Sequence, residues 1–111
     1  MATIELKNNA VGFLSTAISA SDVGAALEAG DGAEFPVLTG DEFFYVTISS
    51  TSGTYEIVKV TARSVDSLTI VRAQEGTSAA SFAAGARVEM RVTAQSIFDA
   101  IANNEDWGSI V

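Results

Sequence analysis

Apolar and polar residues alternate with a period of two through much of the second half of the chain, which is the pattern of half-buried β-strands. In Phe43-Phe-Tyr-Val-Thr-Ile-Ser-Ser50, Phe44, Val46 and Ile48 fall on one face and Phe43, Tyr45, Thr47 and Ser49 on the other. The aromatic and β-branched content favours a strand there. A second run covers Tyr55–Ala62, with Val58 and Val60 on one face and Lys59 and Thr61 opposite. A third covers Ser67–Arg72, aligning Leu68 with Ile70, and a fourth covers Arg87–Thr93, with Val88, Met90 and Val92 inward and Arg87, Glu89 and Arg91 outward. The loops Thr51–Thr54 and Arg63–Ser67 are too short for a crossover, so the first three of these strands are expected to form an antiparallel meander.

Either side of this block the pattern is weaker. Leu6–Ile18 is expected to hold a first strand or an arm, and Ala25–Ala29 a strand or a helical turn. Gly30-Asp-Gly32 and Thr39-Gly-Asp-Glu42 read as turns. Pro36, the only proline, marks a sheet edge or strand entry. Between Glu75 and Gly85 runs a loop of small residues in which Phe82 is the one large apolar side chain, expected to pin the loop to the core. Thr93 can cap a short helix over residues 94–102, whose apolar stripe is Ile97, Phe98 and Ile101. The fold expected is therefore all-β, a small antiparallel barrel or sandwich with a short C-terminal helix. It forms a single β-rich domain over residues 1–104, followed by a tail at 105–111.

Composition narrows the chemistry. At 111 residues the chain makes one domain that can bury a core without staples. It has no cysteine, hence no disulfide or thiolate metal site, and no histidine, hence not the commonest general base or metal ligand. The net charge of −8, from 14 acids against 6 bases, argues against binding nucleic acid or an anionic membrane surface. Val11–Ala20 is too short and too interrupted by Gly12, Ser15, Thr16 and Ser19 for a targeting segment.

No catalytic, cofactor-binding or metal site is expected. Serines and threonines lack a partner base, and the acids carry no recognisable catalytic spacing. Asp31, Glu34, Asp41 and Glu42 cluster near turns and leave a calcium option, although without an EF-hand pattern. Two features point to protein interaction. Arg87, Glu89 and Arg91 form a charged ladder on one strand face, with Arg63 and Arg72 expected nearby; this is either an ordinary solvated face or a docking face for an acidic neighbour. Trp107, with Ile110 and Val111, is an apolar anchor beside Glu105 and Asp106, either folded back onto its own domain or inserted into another subunit.

Three motifs go further: Tyr55-Glu-Ile-Val-Lys-Val-Thr-Ala-Arg63, Leu68-Thr-Ile-Val-Arg-Ala-Gln-Glu-Gly-Thr77 and Phe82-Ala-Ala-Gly-Ala-Arg-Val-Glu-Met-Arg91. With Leu6–Ala10 and Phe35–Leu38, they resemble a β-rich module of tailed-bacteriophage virion structural proteins, found in tail-fibre-like proteins and in short virion proteins. The resemblance spans roughly residues 4–98, and its most specific part is Arg-x-Gln-Glu-Gly-Thr. Two departures stand out: Ala73 takes the place of a usual glycine, and Asp22–Leu27 lacks a Thr/Ile-rich strand. The resemblance implies a non-enzymatic structural component located in the virion, a tail- or fibre-associated anchoring protein. A capsid decoration (cement) protein is the alternative, and a virion-borne polysaccharide-active enzyme a remote one. The partners implied are other virion proteins of tail, neck or capsid, and further copies of the chain as a homo-oligomer. The resemblance implies a role in assembly rather than in receptor recognition.

Overall fold

A computed structural model of the protein describes residues 3–7 and 10–91. The strands are β1 (Thr3–Ile4), β2 (Val11–Phe13), β3 (Gly24–Ala26), β4 (Glu42–Ser49), β5 (Tyr55–Ser64), β6 (Ser67–Gln74) and β7 (Arg87–Glu89), with a 3-10 helix at Asp31–Glu34. Six of them make one antiparallel sheet in the order β2-β7-β4-β5-β6-β3, and β1 adds in parallel to the start of β4. The all-β expectation therefore holds, as one curled sheet forming a half-barrel. The predicted helix over 94–102 lies outside the described residues.

The curl brings the two end strands together. Just beyond β2 and β3, Leu14 pairs with Leu27 in an antiparallel bridge. The Ser15 amide donates to the Ala26 carbonyl and the Glu28 amide to the Phe13 carbonyl, both at 2.9 Å. Two bulges in the β5–β6 pair help to bend the sheet. The extra residue lies on β6 between Val71 and Gln74, and on β5 between Val60 and Ala62.

Period-two alternation sorts the core as read from the sequence. Phe44, Val46, Ile48, Val58, Val60, Leu68, Ile70 and Val88 point into one apolar cluster, joined by Leu14, Ile18, Leu27 and Phe35. Each such side chain contributes about 1.5–3 kcal/mol through burial. Phe35 lies outside any strand yet stacks on Phe44, ring centroids 5.8 Å apart. The other face of β4 is covered too: Phe43 and Tyr45 pack with Ile4 and Ile57. Phe82 is buried as expected, held by a two-way backbone bridge to Ile18.

Two expectations need correction. The β5–β6 loop is tighter than Arg63–Ser67, because Ser64 already pairs with Ser67 and only Val65 and Asp66 turn the chain. The last strand spans Arg87–Glu89 and stops before Met90, although Val88 is fully buried as the alternation required; Val92 and Thr93 of the expected run lie outside the described residues. Asp22–Leu27, despite its composition, still supplies β3, where Ala25 packs into the core opposite Leu68.

The tight turn depends on a partner. Val65 adopts a left-handed φ of 56°, which is strained for a β-branched residue. Its carbonyl accepts from Arg63 Nη1 at 2.9 Å. The Asp66 carboxylate accepts the Gly32 amide at 2.8 Å and the Gly30 amide at 3.2 Å, so the turn clamps onto the 3-10 helix. A Cβ at Gly32 would lie 1.9 Å from the Val65 carbonyl oxygen, which is why glycine stands there.

Candidate functional site

At the far end of β5 the alternation that buries Val58 and Val60 also buries Glu56, a fully enclosed carboxylate. Arg72, turned inward at the β6 bulge, meets it with a forked contact: Nε to Oε2 at 2.9 Å and Nη2 to Oε1 at 2.7 Å. The carboxylate also accepts the amides of Ala73 (2.8 Å) and Ala80 (2.9 Å). The guanidinium donates further to the carbonyls of Ser19 (2.6 Å), Asp22 (2.9 Å) and Ala80 (2.6 Å). Burial works to raise the Glu56 pKa, but the Arg72 hydrogen bonds, the two amides and the Arg72 charge outweigh it and hold the carboxyl below its ordinary value. One ion pair thus fastens two loops, β2–β3 and β6–β7, to the sheet. Its donors and acceptors are matched, as a buried pair requires.

Arg72 is therefore no part of an exposed basic face. Arg63 is also occupied elsewhere, donating to the Pro36 and Val65 carbonyls. The sequence signal for the pair was the phase of Glu56, two positions before Val58 on the inward face.

The ladder expected at Arg87, Glu89 and Arg91 is present. Glu89 lies between the two arginines, with Arg87 Nε at 3.3 Å from Oε2 and Arg91 Nε donating to Oε1 at 2.6 Å. Burial raises the Glu89 pKa, but hydrogen bonds and charge from Arg91, then Arg87, prevail and lower it. Both arginine side chains remain 50% exposed. The ladder keeps a net positive charge on a chain that is otherwise strongly acidic.

Next to the ladder lies a groove that sequence reasoning did not single out. Phe13, Arg87 and Ser49 form one cross-strand row over β2, β7 and β4. That row, with Ser50, Thr51 and the small residues Ala83–Ala86, lines an open cleft of about 370 Å³. Its walls combine three alanines, Gly85 and the Phe13 ring with the hydroxyl residues Ser49, Ser50 and Thr51, and Arg87 contributes charge. The run Ala83-Ala-Gly-Ala86 was the available signal, because small side chains leave room beside a strand.

Among the described residues, no group of three or more acids is placed to hold a metal ion. Two of the four acids near the turns, Asp31 and Glu42, accept backbone amides. Asp31 accepts the Phe13 amide at 2.9 Å, and Glu42 accepts the Thr39 amide and hydroxyl at 2.8 and 3.0 Å. Trp107, Ile110 and Val111 lie outside the described residues. No family model matches the chain, and no curated protein is significantly similar to it.

Proposed function

We propose that this chain is a non-enzymatic structural protein of a tailed-phage virion, most concretely a tail- or fibre-associated anchoring component. It works by fitting against neighbouring virion proteins and further copies of itself. The observation that carries the reading is the way the three motifs of the resemblance interlock. Glu56 comes from the first and Arg72 from the second, and the pair grips Ala80, two residues before Phe82 opens the third. Within Arg72–Thr77, the Thr77 hydroxyl accepts the Ile57 amide at 3.1 Å and donates to the Gln74 carbonyl at 2.7 Å. The most specific motif is thus a fastening device between strands. A module defined by its fastenings suits a scaffold that must keep its shape under load.

The Arg87–Glu89–Arg91 ladder supplies a face for an acidic partner. The test is quantitative composition of purified particles. A few copies per particle fits the tail, whereas hundreds would move the protein to the shell as a decoration protein. Absence from particles, with the chain free in infected cells, would overturn the proposal. Arg87→Glu with Arg91→Glu is expected to lower incorporation while leaving the monomer folded; unchanged incorporation would remove the ladder from the interface.

A further inference from the structure

We infer that the groove beside β7 binds a uronic acid, a pyranose sugar carrying one carboxylate, with Arg87 forking the carboxylate and the Phe13 ring lying under the sugar ring. The inference goes beyond the virion reading and does not rest on it.

Unused donors are the first argument. The chain has six Lys and Arg residues, and five are engaged. Lys7 donates to the Ala33 carbonyl, Lys59 sits 4.4 Å over the Phe43 ring, Arg63 holds two carbonyls and Arg72 is buried on Glu56. Arg91 holds Glu89 Oε1 through both Nε and Nη2. Arg87 differs. It meets Glu89 only through Nε, at 3.3 Å, and neither of its Nη atoms has a hydrogen-bond partner among the described residues. Ser49 and Thr51, which share the groove with it, also make no side-chain hydrogen bond among the described residues.

Geometry is the second. Phe13, Arg87 and Ser49 stand side by side on adjacent strands, about 4.8 Å apart per step. A ring resting on Phe13 therefore places its carboxylate one strand away, at the guanidinium, with the hydroxyl residues just beyond. Both walls are fixed in advance. The Gly85 amide donates to the Leu14 carbonyl at 2.7 Å, the Leu14 amide to the Ala86 carbonyl at 2.9 Å and the Ser50 amide to the Thr54 carbonyl at 2.9 Å. Such preorganisation lowers the ordering cost of binding.

The mixture of groups selects the ligand. A volume of about 370 Å³ lies at the small end of ligand pockets, roughly 300–1,000 Å³, and suits one sugar residue. A purely apolar ligand would strip water from the Arg87 Nη atoms and two hydroxyls without replacing the lost hydrogen bonds. A phosphate dianion would meet one guanidinium with the Glu89 carboxylate beside it. A carboxylate is a monoanion that matches the guanidinium fork. The sugar hydroxyls answer Ser49 and Thr51, and the C–H face of the ring suits the electron-rich face of Phe13, which is 38% exposed.

The test is titration of methyl β-D-glucuronide into the isotope-labelled full-length protein, followed by its amide resonances. Saturable shifts are expected at Phe13, Thr51, Gly85 and Arg87, with a dissociation constant on the order of 1 mM. Methyl β-D-glucoside lacks the carboxylate and cyclohexanecarboxylate lacks the hydroxyls, so each should bind at least about tenfold more weakly. Arg87→Gln should cost a similar factor. So should Ala84→Trp, which fills the groove from an exposed position and leaves the Glu89 ion pairs untouched; the dispersion of the amide spectrum verifies that each variant is folded. Val37→Gln, exposed and outside the lining, should leave the affinity unchanged. A glucuronate-capped trisaccharide that binds as tightly as the monosaccharide identifies a glycan end as the source, and binding of the monosaccharide alone identifies the free sugar. Absence of saturable shifts in the groove would overturn the inference, as would equal binding of either control ligand or an affinity indifferent to Ala84→Trp. Tighter binding of an acetylated Ala-Glu-Ala amide would also overturn it, because the groove would then take a protein side chain.

Discussion

Replacing Glu56 by glutamine tests the fastening directly. The carboxylate receives four donors, from Arg72 Nε and Nη2 and the amides of Ala73 and Ala80. A glutamine keeps the shape, but its single amide oxygen faces some of those donors while its NH2 group faces the rest. The guanidinium is then buried without its counter-charge. Breaking one side of such a pair costs about 3–5 kcal/mol. Against a total stability of about 5–15 kcal/mol, that is a large share. In urea denaturation followed by circular dichroism, the midpoint should fall by roughly 2 M at an unchanged slope, given slopes of about 1–3 kcal/mol/M. The double variant Glu56→Leu with Arg72→Leu should not recover the loss. Five backbone groups, the amides of Ala73 and Ala80 and the carbonyls of Ser19, Asp22 and Ala80, would lose their partners together.

The pH profile supplies a second check. The Glu56 pKa is lower in the folded chain than in the unfolded one, so its stabilisation is present above the ordinary carboxylate range and is lost as pH falls through that range toward the folded value. Glu56→Gln should flatten that part of the acid limb. A loss below about 1 kcal/mol, or a double variant as stable as the native chain, would refute the view that the pair holds the loops.

Ala73 sits at a left-handed φ of 56°, so Ala73→Gly is expected to stabilise the protein by about 0.5 kcal/mol, read as a small rise in melting temperature. Val65→Asn, at φ 56° and 75% exposed, should gain a similar amount by the same measurement. Gly32→Ala should cost roughly 3 kcal/mol or more and broaden or abolish cooperative melting, because its methyl group meets the Val65 carbonyl oxygen. The Glu5 pKa is raised by burial, then by the charge of Glu42 and a hydrogen bond with it. Glu5→Gln should therefore stabilise the protein at neutral pH, and the advantage should shrink as pH falls through the carboxylate range.

What could be read in the sequence follows physical scale. Strand phase is local, so the faces of β4, β5 and β6 and the inward set at Phe44, Val58, Leu68 and Val88 were legible from alternation. The meander was legible because its loops are short. The curl was not, since it depends on bulges placed by long-range contacts at Arg72–Ala73 and near Thr61. The same bulge hid the role of Arg72, which on strict alternation is one more charged strand residue. Glu56 could have been found, because a carboxylate in phase with two buried valines demands a cation. The place of Ala73 in the resemblance also becomes intelligible: the backbone there keeps the conformation suited to glycine.

The meeting of Leu14 with Leu27 bears on how copies of this chain can associate. A sheet whose terminal strands hydrogen-bond to each other there offers little unsatisfied backbone for a neighbour to extend. Self-association by strand addition, the route to fibres and amorphous precipitate, is thereby discouraged at that end. Any contact made at that end would then fall to side chains and loops, whose complementarity can be finite and specific.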